Sequence, residues 1–453
     1  MKQAKKVFLY QMRKVKLKIV LLCCTLLSLL ALGQQQRVKS RLFYQQRFDN
    51  YLNLKNNLSP LVKIGEEGVE LFKDAASGKA GKAEIFISWN EVELFRELLK
   101  TQPGDTVEAL LRKKGTSKWG PQLLKPYLPA KTVPAVLPAD PLTAMPLRGL
   151  KIAIDPGHIA GNMDMARIEQ KYIHFCKDSF PSLLQDSIDI AEGTLTFQTS
   201  CILKKMLEEQ AAVVMLTRNE NSTAFGVNYG EWLKTRKKTV LDSLKAIGEI
   251  APARYKQLMK LDEKKFFWEF FKDAELAQRI RKINTFQPDL TIIVHYNVDE
   301  KNKDWTRPSK VNYTMAFIGG AMTRDSFGKM RGKVAFLRLL LSDDLSESER
   351  LAALTVEQFN KQLGVSIAKQ NDADYLRDNC ISSPSPGVFC RNLALCRMVN
   401  SPLVYGECLF QDNLEEMYTL CRQDKTYYGI VSNERVYKVA ASYFEAIKQY
   451  CKK

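Results

Sequence analysis

Histidine occurs three times in 453 residues, and two of the three close an apolar run. His158 follows "LKIAID" after the turn Pro156-Gly157, and His295 comes directly after "DLTIIV". In an open α/β sheet, ligands bind beyond the carboxyl ends of the strands, so two imidazoles at two such ends point to metal chemistry. A catalytic zinc needs three protein ligands and one open position for water. Glu192, in "IAEGTL", is the third ligand expected, because Gly193 lets the chain bend and the carboxylate point back over the sheet edge. Glu169 and His174, in "MARIEQKYIHF", are its rivals, although His174 beside Phe175 and close to Tyr172 reads more simply as a packed aromatic. The reaction also needs a group that takes a proton from water and returns it to a leaving group. Glu407, at the end of "SPLVYGECLF", is a carboxylate delivered by a buried strand, where a charge is costly unless paired or functional. Burial there raises its pKa, and a nearby cation lowers it. Asp155 either orients a ligand from behind or caps the turn that follows it.

The elements that must hold these residues read as α/β. "LKIAID", "AAVVML", "DLTIIV" and "PLVYGE" are apolar runs, and "TLTFQTSCILKKMLEEQ" and "DAELAQRIRKINTF" are helical segments between them. That alternation predicts a mostly parallel twisted sheet with helices on both faces, phosphorylase/hydrolase-like, preceded by a small N-terminal domain. Seven prolines between Pro121 and Pro146 exclude regular structure there. The expected organisation is an export signal at 1–33, a small unit at 34–120, a linker at 121–148 and a catalytic unit at 149–453. In the small unit, Asp105 and Glu108 have the spacing of a reciprocal helix cap. The same "PGDT" resembles the core of a LysM glycan-binding module, but the preceding "NEVELFRELLK" reads as helix where that module has a strand.

A hydrophobic content of 45% supports globular burial, and the net charge is +18. Eleven basic residues precede the first acidic one, Asp49, so the rest of the chain is only mildly basic. No nucleic-acid motif accompanies this charge, and no nucleic-acid partner is expected. The basic start followed by "IVLLCCTLLSLLAL" reads as an export signal cleaved after Gly33. The apolar run is shorter than the roughly 20 residues of a spanning helix, so no membrane insertion is expected after cleavage. Eight cysteines remain beyond the signal. An oxidising compartment would support one or more disulfides among them, whereas Cys201 and Cys408 lie in apolar segments that suit buried thiols.

From about Leu150 to Tyr450 these segments together resemble the type 3 family of zinc-dependent N-acetylmuramoyl-L-alanine amidases, which cut peptidoglycan. "IAIDPGH" resembles the family's opening strand with its first zinc histidine, His158 here. "EGTLTFQTSCILKKMLEEQAAVVMLTR" resembles the stretch that opens on the zinc glutamate, Glu192, and closes at Arg218. "RIRKINTFQPDLTIIVHYN" resembles the segment ending in the second zinc histidine, His295. "SPLVYGECLFQDN" is similar to the segment holding the catalytic glutamate, Glu407, with Phe410 and Asn413 in register. "NERVYKVAASYFEAIKQY" resembles the closing helix. The resemblance implies a Zn²⁺ cofactor, peptidoglycan as partner, and an exported protein of the periplasm or cell envelope. It implies cleavage of the amide between N-acetylmuramic acid and the L-alanine of the stem peptide. Two competing readings are a non-catalytic peptidoglycan-binding protein of the same fold and a zinc carboxypeptidase. The second fits less well, since its first histidine and glutamate usually stand a few residues apart, unlike His158 and Glu192.

The departures from the family are specific. Ile159-Ala160-Gly161 replaces the usual Gly-Gly after the first histidine, and Cys408-Leu409 follows the catalytic glutamate. Residues 219–272 and 299–374 read as long insertions. Some members carry a helix that covers the zinc until an activator protein displaces it. "SESERLAALTVEQFNKQLG", near 346–363, offers Glu347 and Glu349 for such a cap, with an activator protein as the implied partner. The simpler expectation for that stretch is an ordinary sheet-covering helix.

Overall fold

A computed structural model describes residues 41–119, 127, 146–159, 161–302 and 307–452. The expected export signal with Cys23 and Cys24, most of the linker, and Ala160 lie outside the described residues. Among the described residues no helix is long and apolar enough to cross a membrane.

Residues 41–119 form an antiparallel sheet of β1 (Val62–Ile64), β2 (Gly68–Phe72) and β3 (Ala83–Ser88), in that order. Two helices follow, α1 (Val92–Thr101) and α2 (Gly104–Lys114). Their inward residues are Val92, Phe95, Leu98 and Leu99, then Val107, Leu110 and Leu111, the spacing of an amphipathic face. The segment before Pro103 is thus helical, as read. Asp105 does not cap: Pro103 stands at the N-cap and Asp105 is an exposed first-turn residue. The reciprocal cap lies instead at Ser88 and Glu91, whose buried carboxylate also accepts from the Trp119 N–H at 2.8 Å.

This unit packs on the rest of the chain through a shared apolar core. Arg47 donates to the Leu340 carbonyl at 3.0 Å, the Tyr51 hydroxyl donates to Glu349 at 2.7 Å, and Phe48 meets Phe336 edge to face.

The central sheet has eight strands among the described residues. They are β4 (Lys151–Pro156), β7 (Val213–Leu216), β8 (Leu290–Asn297), β9 (Tyr313–Gly319), β10 (Ser366–Ile367), β11 (Cys380–Ser382), β12 (Val388–Arg391) and β13 (Leu403–Phe410). Between them, the short helix α3 (Met163–Glu169) leads into β5 (Tyr172–Cys176), which makes a separate hairpin with β6 (Ser187–Ala191). The order across the sheet is β11-β12-β9-β13-β8-β4-β7, with β10 beside β9. β7, β4, β8 and β13 run parallel, while β9 runs against β13 and carries β12 and β10 with it. β8 is buried through seven of its eight residues, as a central parallel strand covered on both faces must be. One face is covered by α4 (Glu192–Glu208), α6 (Asp344–Leu363) and α7 (Glu434–Cys451), the other by α5 (Lys272–Phe286) and the short helix Ala394–Met398. The fold is therefore the mostly parallel α/β sheet that the strand pattern predicts.

The two long segments behave differently. Residues 229–271 fold into short helices around their own aromatic core of Tyr229, Trp232, Phe266, Phe267 and Phe271. Within 299–374, the stretch "YTMAFIG" is not peripheral: it is β9, wholly buried in mid-sheet. Disulfides are likewise not formed at Cys176, Cys201, Cys380, Cys390, Cys396, Cys408 or Cys421, which are free thiols. Four of them are buried and fill apolar space as small hydrophobes.

Candidate metal centre

Three elements end at one point. β4 runs through Asp155 and Pro156 into Gly157 and His158, β8 carries His295 near its carboxyl end, and α4 begins at Glu192. The register sets Pro156 opposite Val294, one residue before His295. Gly157 has to be glycine, since a Cβ there would stand 2.1 Å from the His295 ring. The peptide between Gly157 and His158 is cis.

His158 Nε2 lies 3.1 Å from Glu192 Oε2, and His295 Nδ1 lies 2.9 Å from Glu192 Oε1. One donor atom from each of the three residues falls within 4.8 Å of the others. Glu192 and His295 are 2% and 5% exposed. Two imidazoles and a carboxylate are one of the donor sets of catalytic zinc, and ligands about 2.0–2.2 Å from one ion sit at comparable mutual distances. The glycine cradle, the donor chemistry and the convergence fit a divalent metal.

The electrostatics follow from this packing. Burial lowers the affinity of His158 for a proton, but Glu192 and Glu169 outweigh it and lift its pKa to about 9. Burial, reinforced by His158, takes His295 down to about 4 against the pull of Glu192. Burial opposes ionisation of Glu192, yet His158 and His295 hold its carboxyl well below the usual range. Glu169 and Glu192 thus flank His158 with two carboxylates, a concentration of negative charge that suits a divalent cation at the same point.

Glu169 is not a third-ligand rival but the group behind His158. Its Oε1 meets His158 Nδ1 at 3.2 Å and its Oε2 accepts from the Ile159 N–H at 3.0 Å. That bond turns His158 Nε2 toward Glu192, as an outer carboxylate does for a histidine that binds a metal. His174 is neither a ligand nor a packed aromatic. On the alternating strand β5 Phe175 points inward, and His174 points to solvent, 2.8 Å from Asp189. Asp155 touches neither imidazole. It accepts from Thr217 and, at 3.1 Å, from Arg279, and works through that arginine.

Two buried guanidinium groups hold the ligand-bearing turns, and neither was singled out from the sequence as part of the site. Arg279, on α5, donates to the Pro156 and His158 carbonyls at 2.8 and 2.7 Å and pairs with Glu275 at 2.8 Å. Arg218, just after β7, donates to the Pro156, Gly157 and Gly193 carbonyls at 3.0, 3.1 and 2.8 Å. Burial and the neighbouring Arg279 pull Arg218 down to about 9. The signal for both was an arginine placed in or beside an apolar segment, which is costly unless it has dedicated partners.

Glu407, on β13, stands in register with His295 on the adjacent strand. Its Oε2 is buried and has no hydrogen-bond partner. Burial and then Glu192 push its pKa up to about 8, with Arg391, Lys171 and His158 opposing. Tyr405, two residues earlier, stacks on the His295 ring at 4.3 Å and 5°. Phe410 packs edge to face on Tyr313, and Asn413 caps the helix Leu414–Leu420. Cys408 and Leu409 are buried and leave the ligand atoms untouched, the Cys408 thiol donating to the His295 carbonyl at 3.4 Å.

Glu347 and Glu349 do not reach this centre. On α6, Glu347 accepts from Arg350 and Tyr450, and Glu349 accepts from Tyr51 and Ser385. Phe359 of α6 lies under Gly406, on the sheet face opposite Tyr405 and Glu407. α6 is thus the ordinary sheet-covering helix that the sequence favours, and the alternative of a zinc cap lifted by an activator has no basis in it.

A family model described as N-acetylmuramoyl-L-alanine amidase matches residues 152–432. Among solved structures, the chain is similar to the CwlD amidase of Clostridioides difficile in complex with the GerS lipoprotein. It is 16% identical, covering 67% of this chain and 98% of that one, with a TM-score of 0.35. The catalytic domain of the amidase CwlV from Bacillus (Paenibacillus) polymyxa var. colistinus is 14% identical over 66% of this chain and 97% of its own, with a TM-score of 0.34. The amidase Ami1 of Mycobacterium smegmatis is 11% identical over 67% and 98%, with a TM-score of 0.36. No curated protein sequence matches. The match over most of the chain, taken with a site built where the strands end, establishes that this protein belongs to the N-acetylmuramoyl-L-alanine amidase family of peptidoglycan hydrolases.

Proposed function

We propose that His158, Glu192 and His295 hold a zinc ion and that Glu407 moves the proton in hydrolysis of the amide between N-acetylmuramic acid and L-alanine. The observation that carries this reading is the convergence of those three ligands at the ends of β4, β8 and α4, with Glu407 in register beside His295. The chemistry such an ion supplies when bound is Lewis acidity, which makes water more acidic and polarises a carbonyl. Glu407 takes a proton from the attacking water and gives it to the L-alanine nitrogen as the C–N bond breaks. The products are a lactyl carboxylate on the glycan and a peptide with a free amine. A carboxyl lifted to about 8 is matched to this double duty, since acid–base groups work best with a pKa near the working pH. Tyr405 and Glu169 fix the two imidazoles, and Arg218 and Arg279 fix the turns that bear His158 and Glu192. A substrate in the cell wall and the basic, apolar start of the chain support an exported protein of the periplasm or cell envelope.

The test is zinc content measured beside cleavage of purified sacculi. Glu407→Gln is expected to keep one zinc per chain while losing cleavage by about 10²–10⁴-fold, the usual contribution of a general base and acid. A Glu407→Gln protein that retains both zinc and full cleavage contradicts the assignment.

A further inference from the structure

A cavity of about 260 Å³ opens beside the two histidines, and part of its wall comes from the 219–272 segment. Trp268 and Lys272 stand there with His158, His295 and Tyr405. Two features set these side chains apart. The helix leading into α5 takes one wider, π-type turn at Phe267–Phe271, a distortion that recurs at functional positions. Phe266, Phe267 and Phe271 go into the segment's own core, and Trp268 is turned out, 40% exposed. A tryptophan left half in water beside a reactive centre forgoes burial that its neighbours take. Lys272 lies over it, with Nζ 4.9 Å from the ring centroid.

The charge of the wall is the second observation. Its carboxylates are already committed: Asp155 to Arg279 and Thr217, Glu275 to Arg279 and the Ala224 N–H, Glu169 to His158 and the Ile159 N–H. Lys272 and Lys171, on the same wall, have no ion pair among the described residues. The charged groups left to meet a ligand are therefore two ammonium ions, set beside the Trp268 indole and the apolar Leu276, Leu393 and Leu395. The volume lies below the roughly 300–1,000 Å³ of pockets that enclose a whole ligand, so it suits a short piece of a polymer.

We propose that Trp268 and Lys272 form a subsite for the stem peptide, with Trp268 as the apolar platform and Lys272 as partner of a free carboxylate. The enzyme then favours stem peptides with a free carboxylate on the residue after L-alanine over those in which it is a primary amide. This specificity rests on the amidase reading above.

The test uses the full zinc-loaded protein and two synthetic muropeptides that differ only in that carboxylate or its amide. Wild type is expected to show a kcat/KM about tenfold higher for the carboxylate, the scale of one charge-assisted contact. Lys272→Gln is expected to erase the preference through KM. Trp268→Ala is expected to raise KM for both substrates several-fold, with Trp268→Phe restoring most of it. Calorimetric binding of the free dipeptide and its amide to zinc-loaded Glu407→Gln provides a readout that needs no turnover, and is expected to show the same order. Equal affinity for the two peptides, or a preference that survives Lys272→Gln, overturns the subsite. Failure of wild type to cleave either muropeptide counts against the amidase reading instead, and the binding comparison still decides the subsite.

Discussion

Glu407 is held in a place where a carboxylate gains nothing structurally: buried, with one oxygen unpartnered and Glu192 close enough to raise its pKa. A carboxylate kept at that cost supports the proton-transfer role proposed for it. Glu169 carries a different duty, since it reaches the centre only through His158. Replacing it with alanine frees the ring and is expected to weaken zinc affinity by about 10–100-fold, as loss of an outer carboxylate does. A competition titration against a chelator measures this, and an unchanged affinity contradicts the role given to Glu169. At this scale the sequence was informative where a scarce residue type met a strand end, as at His158 and His295. It was ambiguous at Glu169, because nothing local says whether a carboxylate faces the metal or the histidine behind it. Ile159 is a departure that the structure explains. It is 3% exposed and packs into the aromatic core of the 219–272 segment, so its side chain fills space in that core.

Among the elements, α5 matters as much as the strands. Its Arg279 links Asp155, Glu275 and the carbonyls on either side of Gly157 in a buried network. Arg279→Met would leave two buried carboxylates without their cation. Breaking such pairs costs about 3–5 kcal/mol, so denaturant unfolding is expected to show a loss of that size, and a loss under 1 kcal/mol would deny the network its role. α6 yields the opposite expectation from a zinc cap. Leu345, Leu351, Ala352, Val356 and Phe359 are buried against the sheet and α7, so deleting Ser346–Ala353 should lower the melting temperature and release no activity. Higher cleavage by that variant, at unchanged stability, would restore the inhibitory reading. The parallel strands were legible because burial on both faces demands an apolar run. β9 was hidden by its setting between the long 299–374 connections, although "YTMAFIG" has the same signature. The helix cap at Asp105 was misplaced because the helix begins earlier, with Pro103 at the N-cap and Gly104 as its first residue, so Asp105 falls inside the first turn.

For the whole molecule, residues 41–119 and the amidase unit share a core, tied by Arg47, Phe48 and Tyr51. A chain beginning at residue 147 would expose the apolar surface that Phe48, Leu52 and Leu54 cover, and is expected to be less soluble and to melt earlier than the full chain. Equal solubility and melting would show the docking to be energetically idle. Composition could announce a folded N-terminal unit but not where it docks, because docking depends on which apolar side chains two units leave uncovered. The claim that unites these scales is that strand ends, a glycine turn and a helix start assemble a zinc centre for one particular amide bond. Mass spectrometry of purified sacculi digested with the zinc-loaded protein tests it most directly. Stem peptides released with a free L-alanine amine, and glycan strands left whole, are the expected products. Release of single terminal amino acids, or no release by a protein carrying its zinc, would contradict it.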